Sequence, residues 1–143
     1  MIAYQLSIFA ENKPGVLARI TGVLSKAKIS IRATTISTHD TFGVINLIVD
    51  DPQRAKAELT EAGLTVQLGS VLAVLIPDQP SGLDKLVQLL HREGINVNNA
   101  YGFVLESAEK AVFVLEVEQI EKAEKLVEQN GFKTLDTDAL SAV

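Results

Sequence analysis

Asn12-Lys13-Pro14-Gly15 closes a strand-like run and opens a helix-like one, and its residue types suit binding chemistry. Pro14 sets φ near the helical value and lacks the N–H that a first turn would leave unpaired, while Gly15 lets another group approach the backbone closely. The amides of Gly15, Val16 and Leu17 then stand as unpaired donors at a helix head, a setting that suits a carboxylate. Asn12 adds a side-chain carbonyl that accepts from an ammonium group and an amide that donates. Together these groups fit the two ends of a free amino acid. Taken alone, the same four residues also serve as ordinary turn chemistry, with Asn12 as a helix cap.

The device occurs twice. Setting Asn12 against Asp78 aligns Pro14 with Pro80, Leu17 with Leu83, Ile20 with Leu86, Leu24 with Leu90 and Ile29 with Ile95, all 66 positions apart, and Gly63 then matches Gly131 at 68. The drift fits a short insertion in a hairpin, so the chain reads as a tandem duplication of residues 1–68 and 69–143.

Catalysis needs a nucleophile, a base and a stabiliser that converge, and the sequence offers little of this. His39 falls in a predicted hairpin turn, and His91 near a helix C-terminus, where a cation suits the dipole. Asp136 and Asp138 alternate with Thr in a tail that reads as a solvated edge. With no Cys there is no thiol nucleophile and no Cys-ligated zinc, and no cofactor is expected. The chain is expected not to be an enzyme.

Each repeat must position its loop with the same elements. Tyr4 to Phe9 alternates like a strand, and Val16, Leu17, Ile20, Val23, Leu24 and Ala27 fall on one helical face. Ile29 to Ser37 and Gly43 to Val49 read as an antiparallel hairpin around His39-Asp40-Thr41. Asp51-Pro52 supplies a cap and a first-turn proline, and Gly63 a stop, for a helix carrying Ala55, Leu59 and Ala62. Leu64 to Leu68 is the last strand. The second half follows with strand Val71 to Ile76, a helix from about Gly82 to Arg92, hairpin strands Ile95 to Leu105 and Ala111 to Val117, helix Gln119 to Asn130, and a strand near Phe132 to Leu135. The order βαββαβ, twice, predicts an α+β fold of two ferredoxin-like repeats, each an antiparallel sheet with helices on one face.

Composition bounds the partners. Apolar residues are 47% of the chain, enough for a packed core, and no apolar run reaches the roughly 18 residues that span a bilayer. No membrane association and a cytoplasmic location are expected, the first ten residues lacking a secretory pattern. A net charge of −5 without a basic cluster argues against nucleic acid, as do aromatics at only 5%. Val71 to Ile76 and Ala111 to Leu115 are apolar at every position, so the second sheet is expected to be buried on both faces, against the first repeat's sheet or, more simply, in a homodimer.

An Asn/Asp-x-Pro-Gly-x-Leu loop between the first strand and first helix of a βαββαβ unit resembles the ACT domain, the regulatory module of many amino-acid biosynthetic enzymes. Asn12 to Leu17, NKPGVL, matches that pattern throughout, and the tandem reading extends the likeness over essentially all 143 residues. The chain is similar to free-standing tandem ACT proteins that bind amino acids. The resemblance implies a regulatory or sensor protein that binds a free amino acid at an interface between ACT units, the loop of one facing the second strand of its neighbour. On that pattern Asn12, Lys13, Pro14, Gly15, Val16 and Leu17 form the loop half of one site. Asp78, Gln79, Pro80, Ser81, Gly82 and Leu83 form that of the other. Ser81 stands where the pattern has glycine, with Gly82 one step later, so the two sites need not be equivalent. The facing strands would contribute Arg32, Thr34 and Thr35 from one repeat and Asn98, Asn99, Ala100 and Tyr101 from the other.

Adjacent Asn98 and Asn99 are poor strand formers, so either they close a loop or one of them hydrogen-bonds a ligand. Tyr101 fits half-buried packing with a wet hydroxyl, or ligand contact. Val16, Leu17 and Ile36 hint at an aliphatic or aromatic ligand side chain, or belong to the core. The alternative function is a non-catalytic regulatory subunit docking on an amino-acid biosynthetic enzyme, similar to the small subunit of acetohydroxyacid synthase.

Overall fold

A computed structural model describes all 143 residues. The chain divides into two compact units, Tyr4–Gly69 and Ser70–Val143, the second joined by Met1–Ala3. We call them the first and second repeat.

In the first repeat the elements are β1 (Ala3–Glu11), α1 (Val16–Lys26), β2 (Ile31–His39), β3 (Phe42–Val49), α2 (Pro52–Glu61) and the start of β4 (Thr65–Pro77). The strand order β2-β3-β1-β4 is that of a ferredoxin-like sheet. Strand β3 pairs antiparallel with β1 (Ile8 opposite Ile45) and with β2 (Ile36 opposite Ile45). Inward-facing Leu6, Ile8, Ile45 and Leu47 meet Ile20 and Leu24 of α1 and Ala55 and Leu59 of α2 in one core. Each fully buried Leu or Ile contributes about 1.5–3 kcal/mol relative to exposure. Helix α2 starts where its residues dictate, with Asp51 accepting from the Arg54 amide at 3.2 Å ahead of Pro52.

The second repeat repeats the plan with the end of β4, α3 (Pro80–Arg92), β5 (Val97–Glu106), β6 (Lys110–Val117), α4 (Ile120–Gln129) and β7 (Lys133–Leu135). A short α5 (Thr137–Ala142) follows. Here β4 pairs antiparallel with both β6 and β7, and β5 lies at the edge beyond β6. Leu72, Val74 and Ile76 pack with Leu86, Leu90, Ala123 and Val127 from the helices. Ile2 packs on this core, and the amino terminus lies 2.6 Å from Glu124 and from Glu128.

Three expectations are corrected. Leu64–Leu68 and Val71–Ile76 are not separate strands: Gly69 makes no turn, and the backbone stays extended over the 13 residues of β4. The tail is not simply a solvated edge, because Asp136 caps α5 by accepting from the Ala139 amide at 2.8 Å, and Leu140 is buried. Helix α3 begins at Pro80, two residues ahead of the expected start, because proline suits the first helical position.

The two-position drift between repeats lies in the hairpin. The cross-strand pair Ile36–Ile45 corresponds to Gly102–Phe113, so β2 and β5 match at 66 and β3 and β6 at 68. The extra residues form a longer turn and a strand irregularity between Val104 and Glu106.

The sheet faces away from the helices differ. In the first repeat Gln5, Ser7, Asn46 and Thr35 form a polar network, with Ser7 Oγ donating to Asn46 Oδ1 at 2.7 Å and Asn46 Nδ2 to Thr35 Oγ1 at 3.3 Å. The corresponding residues of the second repeat are Val71, Ala73, Val114 and Tyr101. Val71, Ala73 and Val114 are buried, as are Leu72, Val74 and Leu115 beside them.

Candidate functional site

The Asn12-Lys13-Pro14-Gly15 loop is held by its own hairpin. Asn12 donates from its backbone N–H to the Thr41 carbonyl at 2.9 Å and from Nδ2 to the Asp40 carbonyl at 3.1 Å. It therefore does not cap α1, whose cap position is Gly15, with φ 91° and no side-chain bond. That left-handed conformation is the reason for glycine here. The Val16 amide turns back to the Lys13 carbonyl at 3.5 Å, the outer edge of hydrogen-bond distance. The amides of Gly15 and Leu17 make no backbone hydrogen bond.

The second loop reproduces this lacing with altered chemistry. The Asp78 amide donates to the Glu109 carbonyl at 3.1 Å, and its Oδ2 accepts from the Ala108 amide at 2.7 Å. The Gly82 amide donates to the Gln79 carbonyl at 3.0 Å, the counterpart of the Val16 bond. Pro80 is the first residue of α3, and Ser81 needs no left-handed backbone. Gly82 has another purpose: a Cβ there would lie 2.2 Å from the Pro77 carbonyl oxygen. The close approach expected of the motif's glycine is thus made within the fold.

A cleft opens beside each loop, on the helical side of the sheet at its edge strand. In the first repeat it measures about 210 Å³, between Asn12, Lys13, Val16 and Leu17 on one side and Ile36 and Thr38 of β2 on the other, floored by Ile45. In the second it measures about 360 Å³, between Asp78, Gln79 and Leu83 and Gly102 and Val104 of β5, floored by Phe113. The linings correspond: Asn12 with Asp78, Lys13 with Gln79, Leu17 with Leu83, Ile36 with Gly102, Thr38 with Val104 and Ile45 with Phe113.

Two other hollows are of a different kind. One of about 450 Å³ lies between α1 and α2 among Lys26, Arg54, Glu58 and Glu61, and Arg54 is occupied there with the Ala27 carbonyl. Another, of about 230 Å³, flanks the first loop on the side of Phe9 and Gly63.

The remaining candidates sit elsewhere. Arg32 and Asn98 occupy equivalent positions, each at a bulge where the edge strand shifts register against its partner. A bulge excuses Asn98 from good strand propensity, and its Oδ1 accepts from Asn96 Nδ2 at 3.0 Å. Thr34 and Ala100 share the cleft-side face of their strands but lie two residues from Ile36 and Gly102, while Thr35, Asn99 and Tyr101 face the other way. Burial, with a smaller contribution from the Glu116 carboxylate, holds the Tyr101 hydroxyl above the ordinary tyrosine range. His39 ends β2 with its ring stacked on Phe42, centroids 5.9 Å apart, and His91 lies in the last turn of α3.

Sequence reasoning missed Thr38, Gly102, Val104 and Phe113 as lining residues. The available signal was the 66-position offset, which carries Ile36 onto Gly102 once the hairpin pairing is known.

Two ferredoxin-like modules in one chain, each with a laced loop and cleft at its leading helix, define a tandem βαββαβ protein. The family model for an ACT domain pair matches residues 1–143, and the chain belongs to that family. No curated protein matches. Among solved structures, the chain is similar to protein BT0572 from Bacteroides thetaiotaomicron, at 30% identity over 100% of this chain and 98% of that one, with a TM-score of 0.93. It shares its fold with the ligand-free regulatory subunit of aspartate kinase from Thermus thermophilus, at 16% identity, 90% and 94% coverage and a TM-score of 0.63. It also shares it with E. coli aspartokinase III in complex with lysine and aspartate, at 18% identity, covering 90% of this chain and 31% of that one, with a TM-score of 0.51. No helix is long and apolar enough to cross a membrane.

Proposed function

We propose that this protein is a non-catalytic regulator or sensor that binds a free α-amino acid in its loop–strand clefts. The observation that carries the reading is the recurrence of one cleft, with equivalent lining, beside both loops. Open amides at Gly15 and Leu17 suit the carboxylate, and Asn12 Oδ1 or the Asp78 carboxylate suits the ammonium group. The loop residues Lys13, Pro14, Val16, Gln79, Pro80, Ser81, Gly82 and Leu83 shape the two sites. Arg32, Thr34, Asn98, Asn99, Ala100 and Tyr101 would belong to a surface meeting a second chain in a cytoplasmic homodimer.

A thermal-shift screen of the full chain against the twenty amino acids tests this. A ligand at about 100 times its Kd adds about 2.7 kcal/mol to stability. A unique amino acid, or a small chemical group of them, should raise Tm in a concentration-dependent way; no shift with any of the twenty would overturn the reading. The second reading, a regulatory subunit of an amino-acid biosynthetic enzyme, is prompted by the fold shared with the Thermus aspartate kinase regulatory subunit. It predicts stoichiometric co-purification with such a catalytic chain, identified by mass spectrometry.

A further inference from the structure

The two clefts have the same origin and different interiors. At about 210 Å³ the first lies below the roughly 300–1,000 Å³ typical of small-molecule pockets, and at about 360 Å³ the second lies within it. The side chains account for the difference. Ile36, opposite Ile45 in the first repeat, becomes Gly102 opposite Phe113. Where Ile36 projects into the first cleft, the second has bare backbone with an aromatic ring lying on it. A Cβ built on Gly102 would meet the Phe113 ring at 2.9–3.0 Å.

The lining residues change as well. Glu11 and Lys13, ion-paired at 2.9 Å beside the first cleft, are replaced by Pro77 and Gln79, and Thr38 by Val104. Asp78 remains as the charged residue of the second lining, its Oδ2 tied to the Ala108 amide. A wider hollow with a flat aromatic floor and one carboxylate favours a hydrocarbon side chain, seated on the ring, on a molecule that carries an ammonium group.

We infer that the second repeat's cleft is the selective site and takes an α-amino acid with a bulky apolar side chain, with the Gly102–Phe113 pair and Val104 setting its size and polarity. The first cleft, narrowed by Ile36, is the poorer fit for such a side chain. This rests on the amino-acid reading above and adds the ligand class and the repeat that selects it.

The test exchanges the pairs. Gly102→Ile/Phe113→Ile copies into the second repeat a pair that the first already accommodates in the same register. Titrations of wild type and variant with leucine, isoleucine, methionine and phenylalanine, followed by calorimetry, should show affinity for the preferred ligand falling at least about tenfold. The milder Val104→Thr, at a half-exposed position, copies Thr38 and should weaken the same ligand while leaving Tm without ligand unchanged; it decides the matter if the double variant does not fold. Absence of binding by all twenty amino acids would overturn the amino-acid reading itself. Preference for a small or polar amino acid would leave that reading standing and overturn the inference, as would apolar binding unaffected by the folded double variant or by Val104→Thr.

Discussion

Gly82 and Gly15 stand one position apart in the two aligned loops, and they are glycine for different reasons. At Gly82 the neighbour is backbone, the Pro77 carbonyl oxygen, which cannot swing aside as a long side chain would. Gly82→Ala should therefore cost about 1–3 kcal/mol, seen as a lower urea midpoint with an unchanged slope. Tyr101 gives a pH signature. Its pKa is raised in the fold, so its share of stability is complete below the unfolded value of about 10 and is lost as pH rises toward the folded value. Tyr101→Phe should flatten the alkaline fall in stability and leave the acid limb unchanged, measured by chemical denaturation across pH.

Among the elements, those with a local cause were the ones legible in advance. Asp51-Pro52 at the head of α2 is a cap that works as its residues suggest, and Asp51→Ala should cost about 0.5–2 kcal/mol in the denaturant midpoint. The hairpins and four principal helices follow from period and turn chemistry in the same way. Elements whose cause is tertiary were not legible. Gly69-Ser70 reads as a break, yet nothing in an extended backbone forbids them, and β4 runs through. Six residues of α5 carry too little periodicity to stand out from a polar tail, although Asp136 three residues before Ala139 was a capping signal. Bulges at Arg32 and Asn98 arise from pairing with β3 and β6, which one strand's composition does not display.

For the whole molecule, duplication was the decisive feature of the sequence, because a shared offset predicts equivalent elements and equivalent loops. The candidate site was half legible. Its loop residues announced themselves, whereas the opposing wall depends on which residue lies across the hairpin from which, a matter of register. The proposed homodimer belongs at this scale. Edge strand β2 remains mostly exposed, with Ile36 half open, and Phe9, Leu17 and Phe42 are exposed in the same repeat. Light scattering coupled to size exclusion should give twice the chain mass of 15.4 kDa, and Ile36→Lys should shift it toward one chain; a monomeric wild type at all concentrations would remove the dimer.

The left-handed backbone at Gly15, absent at Ser81, leaves the two loops under unequal conformational constraint. A saturation scan of the leading loop would find that position almost intolerant, since any β-carbon is strained there. Its counterpart is free to sample side chains without penalty to the backbone. Chemistry can therefore be changed at Ser81, beside the wider hollow, at a position where the first loop is held to glycine.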